Sequence, residues 1–354
     1  MLVVAEVALA LVLLIGSALL VRTFVALRSV DPGYDANGVL TMRMSMTGEK
    51  YLKSEGVEQA VRIGVEKMMA IPGVQLASAT CCVPLEGGYG LPFVIIGRPL
   101  TDRPFHGGGA WNTVSPGYFE VFKIPIRRGR TFTTRDTAAS PPVVIINEAM
   151  ARQFWPKGDP LNDRLAIGRG GMREFAAEPD RQIIGVIADS RDGALNDEPG
   201  PKMFIPQSQV PDLANALNIR ITPMAWVVRT AGEPYALSGQ IQEALRQTTG
   251  LPVSDVRTMT DVVSRSTSRE RFNMWLMTVF GLSALALAAI GIYGLIAYSV
   301  EQRTQEIGIR LALGAGTGQV QTMVVSQGMR LALAGVVVGI AASFALARFI
   351  SSFL

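Results

Sequence analysis

"FNMWLMTVFGLSALALAAIGIYGLIAYSV", residues 272 to 300, carries no charged side chain over about 29 residues. A helix of that length crosses the roughly 20-residue apolar thickness of a bilayer with more than a turn to spare. Trp275, Tyr293 and Tyr298 stand toward its ends, where interfacial aromatics belong. The chain is thus expected to be a membrane protein, and its composition agrees. Of 354 residues, 49% are hydrophobic and 18% charged, with a mean hydropathy of +0.29, too apolar for an ordinary soluble protein of this length.

On the C-terminal side a polar stretch, "EQRTQEIGIRLALGAGTGQV" (301 to 320), leads to a second apolar run, "LALAGVVVGIAASFALA", of about 17 residues between Arg330 and Arg348. Gly335 and Gly339, one turn apart and followed by Ser343, mark a face on which another helix can approach closely, although glycine is also simply common in membrane helices. At the other end of the chain, "MLVVAEVALALVLLIGSALLV" (1 to 21) has Glu6 as its single charge. No Lys or Arg precedes it and it exceeds a signal-peptide core, so an uncleaved anchor is expected rather than a cleaved leader.

Between Val30 and Arg271 the sequence becomes soluble in character, and about 240 residues suffice for a two-lobed α+β domain. "GVLTMRMSM" (38 to 46) alternates as a strand. Val57, Ala60, Val61, Val65 and Met68 fall on one face of a following helix, and "VQLASATCCV" returns as a strand, making a β-α-β unit. "PPVVIINEAMARQFW" predicts a buried strand entering a helix with Asn147 as its N-cap. "RQIIGVIAD" and "AWVVRT" are short buried strands, and Gly250 closes the amphipathic helix of "EPYALSGQIQEALRQTTG".

Chemistry is sparse. The sequence contains no phosphate-binding G-x-x-x-x-G-K-[ST] loop, no G-x-S-x-G elbow and no H-E-x-x-H helix. No catalytic residue and no metal site is therefore expected. His106, the single histidine, has no partner in sequence and is expected to be a loop residue. Asp189 and Asp192 in "ADSRDG" fit turn chemistry better than metal binding, and Arg127, Arg128 and Arg130 fit a solvated edge better than an anion site. The adjacent Cys81 and Cys82 cannot close an ordinary disulfide loop with each other. Lys plus Arg total 33 against 29 Asp plus Glu, without a clustered basic face, which excludes a nucleic-acid partner.

The polar stretch after the long apolar run is more ordered than a simple turn requires. As a helix it sets Glu306 and Arg310 at i and i+4 and groups Ile307, Leu311 and Ala315, with Gly314, Gly316 and Gly318 ending it. Such a helix docks in a partner's groove or lies in the lipid interface. The second use fits poorly, because large aromatic anchors and a lysine-rich face are lacking.

At these residues a resemblance emerges. "QRTQEIGIRLALGA" (302 to 315) is similar to the signature after the second membrane helix of MacB/FtsX-type ABC transporter permeases, and "GIYGLIAYSV" (291 to 300) resembles the end of that helix. "VSPGYFEVFKIPIRRGRTF", "VVIINEAMARQFWP", "IIGVIADSRDG" and "VRTMTDVVSRSTSRERF" resemble segments of the MacB-like periplasmic core domain, and "ALVLLIGSALLVRTFVALRSVDPGYD" resembles the first membrane helix and its exit. The resemblance runs in order over nearly the whole chain.

It implies an α-helical membrane protein with a large extracytoplasmic α+β domain of two lobes. Residues 1 to 29 would form the first membrane helix, 30 to 271 the core domain and 272 to 354 an FtsX-like permease domain with a cytoplasmic coupling loop at 301 to 322. Its partners would be a separate cytoplasmic ABC ATPase, a second permease unit from a homodimer or tandem repeat, and a periplasmic adaptor. This chain would bind no cofactor itself, the ATP being held by the ATPase. The ATPase-docking role carries over to Gln302, Arg303, Thr304, Glu306, Ile307, Ile309, Arg310, Leu313, Gly314 and Ala315. The implied location is the bacterial inner membrane with residues 30 to 271 outside. That reverses a naive count of Arg22, Arg28, Arg265, Arg269 and Arg271 against Arg303 and Arg310, which puts them inside.

The implied activity is export or extrusion driven by the ATPase. The alternatives are FtsX-like mechanotransmission to a periplasmic partner, or a truncated remnant. The family pattern has a fourth membrane helix, and no residues remain for one after "ALARFISSFL".

Overall fold

A computed structural model describes residues 2–28, 30–176, 178–313 and 316–351. The chain runs through α1 (Leu2–Arg28), β1 (Val39–Met44), α2 (Ser54–Met69), β2 (Val74–Thr80), β3 (Tyr89–Ile95), β4 (Gly107–Val114), α3 (Tyr118–Val121) and β5 (Ile126–Gly129). It continues through β6 (Val143–Asn147), α4 (Glu148–Phe154), β7 (Arg164–Ile167), β8 (Arg181–Ile187), β9 (Lys202–Pro206), α5 (Asp212–Ile221) and β10 (Met224–Thr230). It ends with α6 (Ser238–Thr249), β11 (Ser254–Thr258), α7 (Met259–Ser266), α8 (Ser268–Gln302), α9 (Thr304–Ala312) and α10 (Thr317–Ser351). Two compact units result, Met1–Ser29 with Thr267–Leu354, and Val30–Ser266.

In the helical unit, Val4–Leu27, Arg271–Gln302 and Gln321–Leu346 are long and apolar enough to cross a membrane. α1 and α8 run antiparallel: the Ser17 and Thr278 hydroxyls are 2.8 Å apart, and Gly281 lies against Leu14. α1 and α10 run parallel, with Gly335 against Val4 and Val7 and Gly339 against Ala8 and Leu11. Ser343 donates its hydroxyl back to the Gly339 carbonyl at 2.8 Å.

α10 corrects the expectation of a 17-residue span preceded by a loop reaching residue 322. It is a 35-residue helix beginning at Thr317, so Gly318, expected to end the preceding helix, lies in its first turn. Hydropathy marks only what would sit in lipid. The polar turns of Gln319, Gln321, Thr322 and Ser326 are helical but carry no apolar signal.

The second unit folds as two lobes. In the first, β11-β1-β10-β2 form an antiparallel sheet, with β10 between β1 and β2. The expected β-α-β unit is therefore a split one, its two parallel strands separated by a strand that arrives about 145 residues later. α2 and α6 cover one face: Val57, Val61 and Met68 meet Trp226, Val228, Ile241 and Leu245, all buried. Cooperative burial of that amphipathic face, rather than intrinsic propensity, holds a 16-residue helix such as α2.

The second lobe closes on itself. β4 pairs with β3, β3 with β7, β7 with β8, β8 with β6, β6 with β9, and β9 returns to β4, a ring of six strands. Closure leaves no open edge within the ring, and its interior is packed with Trp111, Phe93, Ile146, Phe175, Ile183 and Met203. β5 pairs with β8 outside it. The lobes join where β2 meets β4 at a single register pair, Thr80 opposite Val114.

Just beyond that joint, Cys81 and Cys82 are buried and bonded to each other. As expected of neighbours the bridge encloses no chain loop, but it is a disulfide nonetheless, and among the described residues no free cysteine remains.

Candidate coupling site and its connections

α9 is built from "TQEIGIRLA" and occupies the short interval between two membrane-length helices. α8 ends at Gln302, and Arg303 leaves the helical region with φ −108° and ψ 17°. The Thr304 hydroxyl donates to the carbonyls of Val300 and Glu301 at 3.0 and 2.9 Å, adding to the Arg303 amide that already caps them. The Ile307 amide donates to the Arg303 carbonyl at 2.9 Å, so α9 starts at once. Gln302 donates to the Tyr298 hydroxyl at 2.8 Å.

On α9 itself, Arg310 Nη2 donates to Glu306 Oε1 at 2.6 Å, the orientation that supports a short helix. Arg310 Nη1 also reaches Met323 Sδ on α10 at 3.7 Å. The open apolar surface falls on two residues of the expected docking set. Ile307 is half-buried, while Ile309 and Leu313, again one turn apart, are 61% and 83% exposed. Gly308 has no neighbour near its missing Cβ. Gly314 and Ala315 lie outside the described residues, as does the side chain of Leu311. α9 and the residue just after it thus offer two apolar side chains beside an ion pair, a pattern suited to a groove with one polar wall.

Residues 30 to 37, read from the sequence as the exit from the first membrane helix, are fastened by a buried arginine that sequence reasoning did not single out. Arg229, buried on β10, donates from Nε to the Val121 carbonyl at 2.7 Å, from Nη1 to Asn37 O at 2.8 Å and from Nη2 to Asp35 O at 2.9 Å. Lys123 Nζ lies 2.8 Å from the Asp35 carboxylate, and the Arg191 amide donates to Pro32 O at 3.0 Å. Burial pushes the Asp35 carboxyl up, but the hydrogen bonds from Lys123 and the Asn37 amide, with the charge of Arg229, outweigh it and hold the group at about 2. A charged residue inside the apolar run "AWVVRT" was the available signal. At the other exit only Thr267 separates α7 from α8.

The residues weighed for chemistry each have partners within the second unit. His106 Nδ1 accepts from the Ile95 amide at 3.1 Å and Nε2 faces Pro99 O at 3.2 Å. Asp189 accepts from Asn147 Nδ2 (2.8 Å), the Ala149 amide (2.7 Å) and Arg152 (2.7 Å), while Asp192 pairs with buried Lys202 at 2.5 Å. Burial holds the Lys202 ammonium below the usual lysine range, against the opposing charges of Asp192 and Asp189. Arg127, Arg128 and Arg130 pair with Glu148, Asp159 and Asp136 along an exposed edge. Among the described residues no cluster of three or more His, Cys, Asp or Glu is placed to hold a metal.

Residues 7–248 match the family of the MacB-like periplasmic core domain, and residues 278–354 match the FtsX-like permease C-terminal family. Among curated relatives, the probable syringafactin export ATP-binding/permease protein SyfD of Pseudomonas syringae pv. tomato is 23% identical over 69% of this chain and 35% of its own length. The uncharacterized ABC transporter permease YknZ of Bacillus subtilis is 26% identical over 68% of this chain and 58% of its own length. The chain thus spans between about a third and three fifths of the curated relatives it matches. The crystal structure of the periplasmic region of MacB from Actinobacillus actinomycetemcomitans aligns with 67% of this chain and 94% of its own, at 14% identity and a TM-score of 0.42.

Proposed function

Since the chain belongs to the family of ABC transporter permeases that join a MacB-like periplasmic core domain to an FtsX-like permease region, we propose that it is a permease subunit driven by a separate cytoplasmic ATPase. α9 is the docking element. The observation that carries this reading is the exposure of Ile309 and Leu313 beside the Glu306–Arg310 pair, on a helix held between two membrane-length helices. The ATP stays on the partner, and this chain supplies the moving parts.

A push on α9 has two short routes into the bundle. Thr304 binds α9 to the last turn of α8, and Arg310 reaches α10 at Met323. α10 is seated on α1 through Gly335 and Gly339, and α1 on α8 through Ser17 and Thr278, so the three helices respond together. Displacement then arrives at the two connections to the core domain, after Arg28 and at Thr267. Asp35 and Arg229 fasten the first of these, so little of the motion is lost in slack chain.

In this reading the bundle lies in the bacterial inner membrane with Val30–Ser266 outside. A second permease unit completes the assembly, and the work done is export, the activity named for SyfD. The test is co-purification of the tagged full chain from its native membrane with an ATPase subunit. Wild type is expected to retain the ATPase, and Leu313→Glu, Arg310→Glu and Gly314→Pro to lose it while remaining inserted and folded. Equal retention by all four proteins would refute α9 as the docking element.

A further inference from the structure

The lobes of the second unit meet at one ladder position, and beside that joint a cavity of about 280 Å³ opens between them. One wall is α2, with Val61 and Val65 as an apolar floor and Glu58, Arg62 and Glu66 along the rim. The other wall is the 133–137 segment of the second lobe, and Ser115 and Pro116 form the base next to the joint.

On the second wall the carboxylate is already paired. Asp136 is buried and accepts from Arg130 Nη1 and Nη2 at 2.8 and 2.7 Å and from the Thr133 amide at 2.8 Å. The Ser208 hydroxyl holds the Asp136 carbonyl at 2.6 Å. The α2 wall differs. Arg62 lies 3.7 Å from Glu58, and among the described residues Glu66, which also lines the cavity, enters no ion pair, so two carboxylates share one guanidinium along this wall.

We propose that this interlobe cavity binds a small organic cation, its apolar body on Val61 and Val65 and its charged head at Glu66. The volume accommodates about ten non-hydrogen atoms, taking roughly 30 Å³ for each. Clefts between lobes are where ligand sites concentrate, with an apolar floor for affinity and a few polar groups for orientation. Because the two walls belong to different lobes, an occupant contacts both and favours the lobe arrangement in which both fit it. The site is independent of ATPase docking.

The experiment is calorimetric titration of the full chain in lipid nanodiscs with 2-phenylethylammonium, and with 3-phenylpropionate as the anion of similar shape. The amine is expected to bind saturably at one site per chain and the acid not to bind. Glu66→Gln should weaken the amine about fivefold, the scale of one exposed charge pair. Thr134→Trp, which fills the cavity from the opposite lobe, should abolish binding. Both positions are exposed, so the variants retain the fold. Absence of saturable amine binding, equal binding of the acid, or binding that survives Thr134→Trp overturns the site. An unchanged affinity in Glu66→Gln overturns the cation assignment.

Discussion

Gly339 lies against the backbone of Ala8: a Cβ built on it would stand 2.9 Å from the Ala8 carbonyl oxygen and 3.1 Å from its Cα. Four residues earlier, a Cβ on Gly335 would stand 2.6 Å from that of Val7. Neither obstacle is the far end of a flexible side chain, so α1 and α10 have nowhere to yield except by separating. Gly339→Leu is accordingly expected to destabilise the helical unit by about 1–3 kcal/mol, the usual cost of overpacking. It should also lower the temperature at which the detergent-solubilised chain loses its monodisperse size-exclusion peak. Gly294→Leu, on α8 with no neighbour within 4 Å of its missing Cβ, should leave that temperature unchanged.

Asn147 is buried at the junction of β6 and α4 and makes four hydrogen bonds. Its Oδ1 accepts from Met150 N at 3.1 Å and Lys202 N at 2.9 Å, and its Nδ2 donates to Asp189 Oδ1 and Gly200 O at 2.8 Å each. Asn147→Ala removes a helix cap and orphans buried groups on two other segments, so a loss of about 3 kcal/mol is expected in thermal unfolding. Asn147→Asp retains the acceptor but sets a second carboxylate beside Asp189. If Asn147 served only as a cap, Asp would substitute freely; here it should also destabilise.

The contrast between Asn147 and Arg229 explains how far the sequence could be read. Asn147 was legible because capping is local: a strand pattern, a polar residue and a helix pattern follow one another within a dozen positions. Gly250, in the left-handed region at φ 73° after α6, was legible for the same reason, as were the apolar runs, whose signal is their own length. Arg229 was not, because its meaning depends on Asp35 and Val121, separated from it by 194 and 108 positions. The closure of the second lobe was hidden for that reason too: the β4–β9 pair joins Ala110 to Lys202, and no local pattern encodes it. At α9 the helix and its Glu306–Arg310 pair were foreseen. Which of Ile307 and Ile309 is the more open was not legible, because it depends on how α8 ends.

The bridge between Cys81 and Cys82 makes a chemical prediction. Without reductant, the unfolded chain should take up no maleimide, since these are its two cysteines and both are bonded. After reduction in denaturant it should take up two labels, read by intact mass. Labelling of the unreduced, unfolded chain would show that the thiols are free in solution.

Asp35 links acid stability to the segment that follows α1. Its carboxyl is held at about 2, below its ordinary value of 3.8, so the folded state favours the charged form. A depressed carboxylate contributes stability that is fully present above its unfolded pKa and is lost as the pH falls through the folded one. The contribution of Asp35 should therefore be intact above about pH 4 and fade between about pH 4 and 2. In Asp35→Asn the unfolding temperature should be lower at neutral pH, because Lys123 and Arg229 lose their shared anion. Its difference from wild type should shrink through the same window, as wild type becomes protonated and resembles the variant. A difference that stays constant from pH 6 to about pH 2 would show that the side chain acts there by shape and not by charge. Arg229→Met provides the complementary case. It strips the Val121, Asp35 and Asn37 carbonyls of their donor at every pH, so its deficit should persist in acid where that of Asp35→Asn disappears.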